Sequence, residues 1–181
     1  GEVLDPEQLH APFEQALREG HLLPVCFVSA RTGAGVRELL DILGKLAPDP
    51  TEGNPPQFVK GEDATATAVS VELDPKRHVI AHVFQIANDL YRGKLGLFRV
   101  HQGSITPNSQ LFVGDGRKPF KVAHLLRMQG KNAVETSKAV PGDLCAVSRV
   151  DEITRDAVLH DSHDEDFFHL APTPFPRPVF G

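Results

Sequence analysis

The spacing of apolar positions changes character near residue 50, and that change divides the chain. In residues 5–20, DPEQLHAPFEQALREG, the side chains of Leu9, Phe13, Ala16 and Leu17 fall on one helical face. Asp5 suits the N-cap with Pro6 at the first helical position; Pro12 allows a later start, and Gly20 suits the stop. Residues 22–28, LLPVCFV, form a near-continuous apolar run, the texture of a strand buried on both faces of a parallel sheet. A polar turn from Ser29 to Gly35 follows. Val36, Leu39, Leu40, Leu43 and Leu46 then return to helical spacing. A helix–strand–loop–helix unit over residues 1–47 is the closing piece of an α/β domain, and a single strand has no sheet of its own to join.

Residues 47–57, APDPTEGNPPQ, carry four prolines and one glycine without periodicity, which places a linker at 48–60. Beyond it, short β-rich runs alternate with turn residues. The runs are 64–73, 79–86, 94–101, 110–113, 120–126, 144–150 and 157–159. Many short strands at this spacing predict an antiparallel sandwich or barrel over residues 61–171, and a barrel also removes open edges. The tail from 172 to 181 is proline-rich and reads as extended. The fold class is therefore mainly β with an α/β fragment.

Composition narrows this only slightly. With 40% hydrophobic and 24% charged residues, the chain falls in the soluble globular class. A net charge of -5 gives no global pull toward nucleic acid, so any such pull must be local. Cys26 and Cys145 sit in apolar runs and read as buried free thiols of a cytoplasmic protein. The first residue is Gly1 and the one methionine is Met128, which fits a piece of a longer protein. No apolar run approaches the roughly 20 residues that span a bilayer, and no signal peptide is visible, so no membrane partner is expected.

The first candidate chemistry is Ser29-Ala30-Arg31, after an apolar run and before a helix. Ligands of open α/β sheets gather at the carboxyl ends of strands. A serine hydroxyl can brace such a loop, and the Ala30 N–H can face an acceptor without side-chain obstruction. The competing reading is an ordinary connection between strand and helix. LLPVCFVSARTGAGVRELLDILGKLAPDP resembles the fifth guanine-recognition motif of translational GTPases, in which a Ser-Ala pair follows the last strand and the alanine N–H contacts the guanine oxygen. Gly35-Val36, Leu39, Leu40 and Pro48-Asp49-Pro50 keep the family's order, and Arg31 occupies a position where relatives vary.

A second stretch, DLYRGKLGLFRVHQGSI, resembles a run in the second domain of elongation factor G through Asp89, Tyr91, Gly93, Leu95, Arg99, Val100 and Gly103. Leu90 replaces the usual proline and Gln102 the usual serine. Leu126-Arg127-Met128 and Ala139-Val140-Pro141-Gly142-Asp143 match further family runs, whereas Arg155-Asp156 stands where Gly-Asp is usual, suggesting a divergent branch. The resemblance implies a β-barrel of the translation-factor domain II type behind the end of a P-loop GTPase domain. It further implies GTP or GDP with Mg2+ in the whole protein, and a ribosome partner through small-subunit RNA and protein. A monomeric chain without catalysis or a cofactor of its own is expected. The P-loop G-x-x-x-x-G-K-[ST] is absent, and the family's D-x-x-G and N-K-x-D loops are missing too. Within that frame, Gly93, Gly103 and Pro141-Gly142-Asp143 read as structural turn positions.

Local charge is lopsided. Arg92, Lys94, Arg99, Arg117, Lys118, Lys121, Arg127 and Lys131 face one acid, Asp115, whereas the stretch 151–166 is acidic. Of these cations, Arg92, Lys94, Arg117, Lys118, Lys121, Arg127 and Lys131 are the candidate RNA-facing set. Solvated strand ends or pairing between the two halves would produce the same pattern. One Tyr and no Trp argue for contact through shape and phosphate rather than stacking on single-stranded bases. The run from His160 to Asp166, with His169, raises the alternative of a metal-dependent hydrolase, although its spacing fits no ligand frame and no metal site is expected. A peptide-release or ribosome-rescue type of translational GTPase is the other alternative.

Overall fold

The computed structural model describes residues 10–50, 55–61, 66–130, 132–162 and 168–171. It comprises two compact units, Gly1–Asn54 and Pro55–Gly181. Asp5, Pro6, Lys131, residues 163–167 and the 172–181 tail lie outside the described residues.

In the first unit, α1 spans His10–Arg18 and α2 spans Val36–Leu46, and the two helices touch. The described helix takes Pro12 within its first turn, where a missing N–H costs least. Gly20 lies just past the helix end with φ 73° and donates to the Leu17 carbonyl at 3.1 Å. The strand expected over 22–28 does not form. A strand exists through ladder bonds to a neighbour, and the described residues offer none. Leu23, Val25 and Phe27 are 83%, 77% and 93% exposed in consequence. The apolar stripe of α2 is only partly covered: none of its residues is buried, and Leu40 and Leu43 are exposed.

The second unit is antiparallel β throughout. Its strands are β1 (Phe58–Lys60), β2 (Thr67–Val69), β3 (Ile80–Asp89), β4 (Gly93–Gln102), β5 (Gln110–Val113), β6 (Phe120–Lys121), β7 (Leu125–Gln129), β8 (Asn132–Glu135), β9 (Leu144–Ser148), β10 (Val158–His160) and β11 (Phe168–Leu170). Eight of them form a curled sheet, a half-barrel, in the order β6-β5-β10-β3-β4-β9-β7-β8; the other three form a small sheet, β11-β1-β2. Five expected runs map onto β3, β4, β5, β9 and β10. The run 120–126 is broken between β6 and β7. The run 64–73 shrinks to β2 within the described residues. Three strands were not anticipated: β1 begins inside the stretch read as linker, β8 lies in a stretch read as a turn, and β11 lies past the last expected strand.

The inner face of the half-barrel holds the main core, with Val83, Phe98, Val100, Ile105, Leu111, Leu125, Val147 and Leu159 in one cluster. Alternation of side chains along a strand sends the intervening residues to the other face. There Ile80 and Val158 pack with Phe58 of the small sheet, and Leu95, Leu126 and Ala146 make a further cluster. Both faces of the central strands are thus apolar, which explains why the runs at 79–86 and 94–101 alternate only partly. Cys145 is buried as expected, and its thiol is pushed up to about 11 by burial, with the Asp143 charge adding to the effect. Cys26 is only half-buried, a correction to the expected buried thiol that follows from the missing strand neighbours.

Two details of this packing are sensitive to substitution. His101 of β4 sits edge-on to Phe58 at 5.1 Å, and its Nε2 is buried without a hydrogen-bond partner among the described residues. Burial, then the charges of His82 and Arg99, hold its imidazole down at about 4, against an ordinary value of 6.5. The folded state therefore resists a proton that the unfolded chain accepts. Stability should be full above pH 6.5 and should fall as pH drops from 6.5 toward 4. Chemical denaturation across that range should show His101→Phe losing less stability on acidification than the unsubstituted chain; equal slopes would refute the assignment.

Gly103 ends β4 with φ 75°, and a Cβ there would lie 2.7 Å from the Arg77 carbonyl oxygen and the Val79 Cα. Gly93 has a similar φ of 73° with open space around it. Gly93→Ala should therefore carry only the conformational cost of roughly 1 kcal/mol, whereas Gly103→Ala should cost about 2 kcal/mol or more through added overlap with backbone. The two denaturation midpoints in urea would show this order or reverse it.

Candidate functional site

The Ser29–Gly35 loop is built by its own hydrogen bonds. The Ser29 N–H donates to the Ala34 carbonyl at 2.9 Å, and the Gly33 N–H donates to the Ser29 carbonyl at 2.8 Å. The Thr32 N–H donates to Ser29 Oγ at 3.3 Å, so the serine hydroxyl braces the turn. Gly35 takes φ 72°, and a Cβ at this position would run into the Phe27 carbonyl. Among the described residues no hydrogen bond engages the Ala30 N–H, and Ala30 and Arg31 are exposed. The loop thus uses its inner N–H groups on itself and leaves Ala30 at its surface. One string here has the letters D-x-x-G, Asp41-Ile42-Leu43-Gly44, but it lies inside α2 and cannot form a phosphate loop.

The candidate cations sit on several elements of the sheet and its turns. Arg92, in the β3–β4 turn, and Arg127, on β7, line a common groove with Gln129, Asn132 and Val134. The turn that carries Arg92 is fixed by Asp89, whose Oδ1 accepts the Tyr91 and Arg92 N–H groups, each at 2.8 Å. Those two bonds, the Arg92 one foremost, hold the Asp89 carboxyl below the usual carboxylate range. Arg127 also approaches Asp143 at 3.6 Å, an exposed pairing of small energetic weight. Lys94 turns away from this groove and donates through Nζ to the Asp151 carbonyl at 2.7 Å. Arg117 and Lys118 are exposed in the turn between β5 and β6, and Lys121 lies on β6, at the opposite end of the sheet order from β7 and β8.

The acidic stretch is likewise dispersed. His160 is buried, stacks on Phe112 at 5.5 Å and contacts the Gly114 carbonyl through Nε2 at 2.8 Å. Asp161 accepts the Val79 N–H at 2.8 Å and meets His78 Nδ1 at 3.2 Å. His169 pairs with Asp115 at 2.7 Å, and Asp156 with His82 at 3.1 Å. Among the described residues no three of His, Cys, Asp and Glu converge as a metal site. His163, Asp164, Glu165 and Asp166, which belong to the run on which the hydrolase alternative rests, lie outside the described residues.

Sequence reasoning missed one cationic grouping. Lys60, Ser70, Lys76, Arg77, His78 and Asp161 line a groove that also reaches Ile80 and Gln102. The consecutive Lys76-Arg77-His78 was the available signal, but as part of a separator between strands it carried no expectation.

Comparison with known proteins agrees with this architecture. Residues 78–157 match the family model for elongation factor G domain 2. The chain is 26% identical over 161 residues to an elongation factor G of Ureaplasma parvum, covering 89% of this chain and 23% of that protein. It is 34% identical over 129 residues to elongation factor G 1 of Treponema pallidum, covering 71% of this chain and 18% of that protein. A crystal structure from Thermus thermophilus superposes with a TM-score of 0.64 at 25% identity, covering 92% of this chain and 22% of that one. The chain thus spans about a fifth of the length of these relatives. No helix among the described residues is long and apolar enough to cross a membrane. The antiparallel half-barrel and the match across its central strands together make this chain elongation factor G-like, with residues 78–157 resembling elongation factor G domain 2.

Proposed function

We propose that the chain is the end of the nucleotide domain and the second domain of a ribosome-dependent translational GTPase of the elongation factor G type. The match of residues 78–157 to elongation factor G domain 2 carries this reading. On it, residues 1–47 close the nucleotide domain, 48–60 link, 61–171 form the barrel and 172–181 lead onward. The Ser29–Gly35 loop supports the first assignment, because a braced turn leaves the Ala30 N–H available to the guanine oxygen, flanked by Ser29 and Arg31. The barrel then relays the state of the nucleotide domain to small-subunit RNA and protein, through a differential contact in its two states.

GTP or GDP with Mg2+ belongs to the whole protein. The metal would be held through a P-loop, which this sequence lacks, and the described residues gather no ligand set for it. One backbone contact to guanine does not offset the cost of ordering a ligand, so these residues orient the base and do not bind nucleotide alone. In the full-length protein, GTP hydrolysis should rise strongly on adding ribosomes, and a rate indifferent to ribosomes would overturn the proposal. Lys118→Ala with Arg127→Ala should weaken small-subunit binding. It should also flatten the dependence of log affinity on log salt by about 0.7–0.9 per lost phosphate contact. An unchanged slope would remove these residues from the RNA footprint.

A further inference from the structure

The small sheet rests on the half-barrel through one buried aromatic side chain. Phe58 of β1 packs with Ile80 of β3 and Val158 of β10, in a cluster apart from the main core, with Val69, Val71 and Leu170 partly buried around it. Strands of three residues do not hold together without such support. An opening that loses only this cluster costs far less than one that loses the main core.

His101 of β4 places that contact under chemical control, because its ring lies edge-on against Phe58. Its Nε2 is buried without a hydrogen-bond partner among the described residues, so a proton there puts an unpaired charge into an apolar contact. The groups around it do not relieve that cost. His82 of β3 and Arg99 of β4 both push against the proton, and His82 already meets Asp156 at 3.1 Å. On β10, His160 stacks on Phe112 and contacts the Gly114 carbonyl. The strands of the small sheet carry Lys60 and His169 as their ionisable residues and no carboxylate. Glu62 and Asp63, between β1 and β2, lie outside the described residues. Once β1 lifts away, water reaches the imidazole, which accepts a proton near its ordinary 6.5 rather than near 4. Falling pH therefore favours the opened form through that window.

The β11 side is fastened differently. His169 meets Asp115 of the β5–β6 turn at 2.7 Å, where a proton on the imidazole faces a carboxylate. Glu152, Arg155 and Asp156 of the β9–β10 loop line the same groove, two acids against one base. Among the described strands of the second unit β1 is the first and β11 the last, and the Ala171 N–H ties them by donating to the Gln57 carbonyl at 2.8 Å.

We propose that the small sheet is an acid-released clasp: a proton on His101 expels Phe58, and β1 and β2 come away from the half-barrel while β11 stays tethered through His169 and Asp115. Release parts the chain entering the half-barrel from the chain leaving it. The inference rests on the proposed function only for what those two crossings lead to.

Hydrogen exchange followed by NMR tests this on the chain itself. Between pH 7 and pH 5, protection factors at residues 58–60 and 67–69 should fall on the order of tenfold, while Val100, Val147 and Leu159 keep theirs. His101→Phe retains an apolar ring at the contact and should make protection of the two strands independent of pH. No fall in the unsubstituted chain would overturn the proposal. So would an equal fall in the main core, which is global unfolding, or the same fall in His101→Phe, which assigns the response to another group. If circular dichroism shows that variant unfolded, the His101 ring resonances of the unsubstituted chain decide. Titration of the ring over the range in which β1 loses protection supports the clasp, and titration with β1 still protected refutes it. These readouts involve neither ribosomes nor nucleotide, so their failure leaves the proposed function standing.

Discussion

The long hairpin of β3 and β4 is the constraint on which the second unit depends. Its strands pair with each other along their length and bind β10 on one side and β9 on the other, so they stand at the centre of the sheet order. Both of their faces are buried. Val83, Phe98 and Val100 fill the inner core, while Ile80 and His101 meet Phe58 outside. A slip of one residue would exchange the two sets and bring a histidine into the inner core in place of valine. The irregularity between Val83 and Gln85 absorbs one residue on β3, and the close approach of the 74–79 turn to Gly103 fixes the far end.

Acids and bases divide their labour around this frame. Asp74, Asp89, Asp143 and Asp161 each accept backbone N–H groups, at Lys76, at Tyr91 and Arg92, at Val140 and at Val79. These carboxylates fold turns, which occupies them and lowers their weight in the outward field. Several of the bases on the same turns have no comparable internal task. A chain with net negative charge can therefore present cationic turns to solvent.

The legible part of the fold was that in which one residue pattern had one physical cause. β5 was read from QLFV to the residue, because a short apolar strand between turn residues has few alternatives. The strand at 22–28 was misread because its sequence describes an environment supplied by other strands, and apolar texture states a demand without showing that it is met. β1, β8 and β11 were missed because three- and four-residue strands carry too little alternation to stand out, and two of them pair in a small sheet joining segments about a hundred residues apart. The Ser29 brace was legible from a short polar side chain at a turn. The sharing of one groove by Arg92 and Arg127 was not, because a contact between residues on different strands leaves no mark in the local pattern. His160 is a packed side chain in the fold, stacked on Phe112, which its polar surroundings in sequence did not show.

The exposed side chains of Leu23, Val25 and Phe27 have a consequence for handling the chain in solution. A run of exposed apolar side chains invites contact with another copy of itself. Concentration-dependent self-association of this polypeptide would then begin in the Leu22–Val28 segment, far in sequence from the well-packed barrel. Its shelf life would be set by a few residues that belong to the first unit.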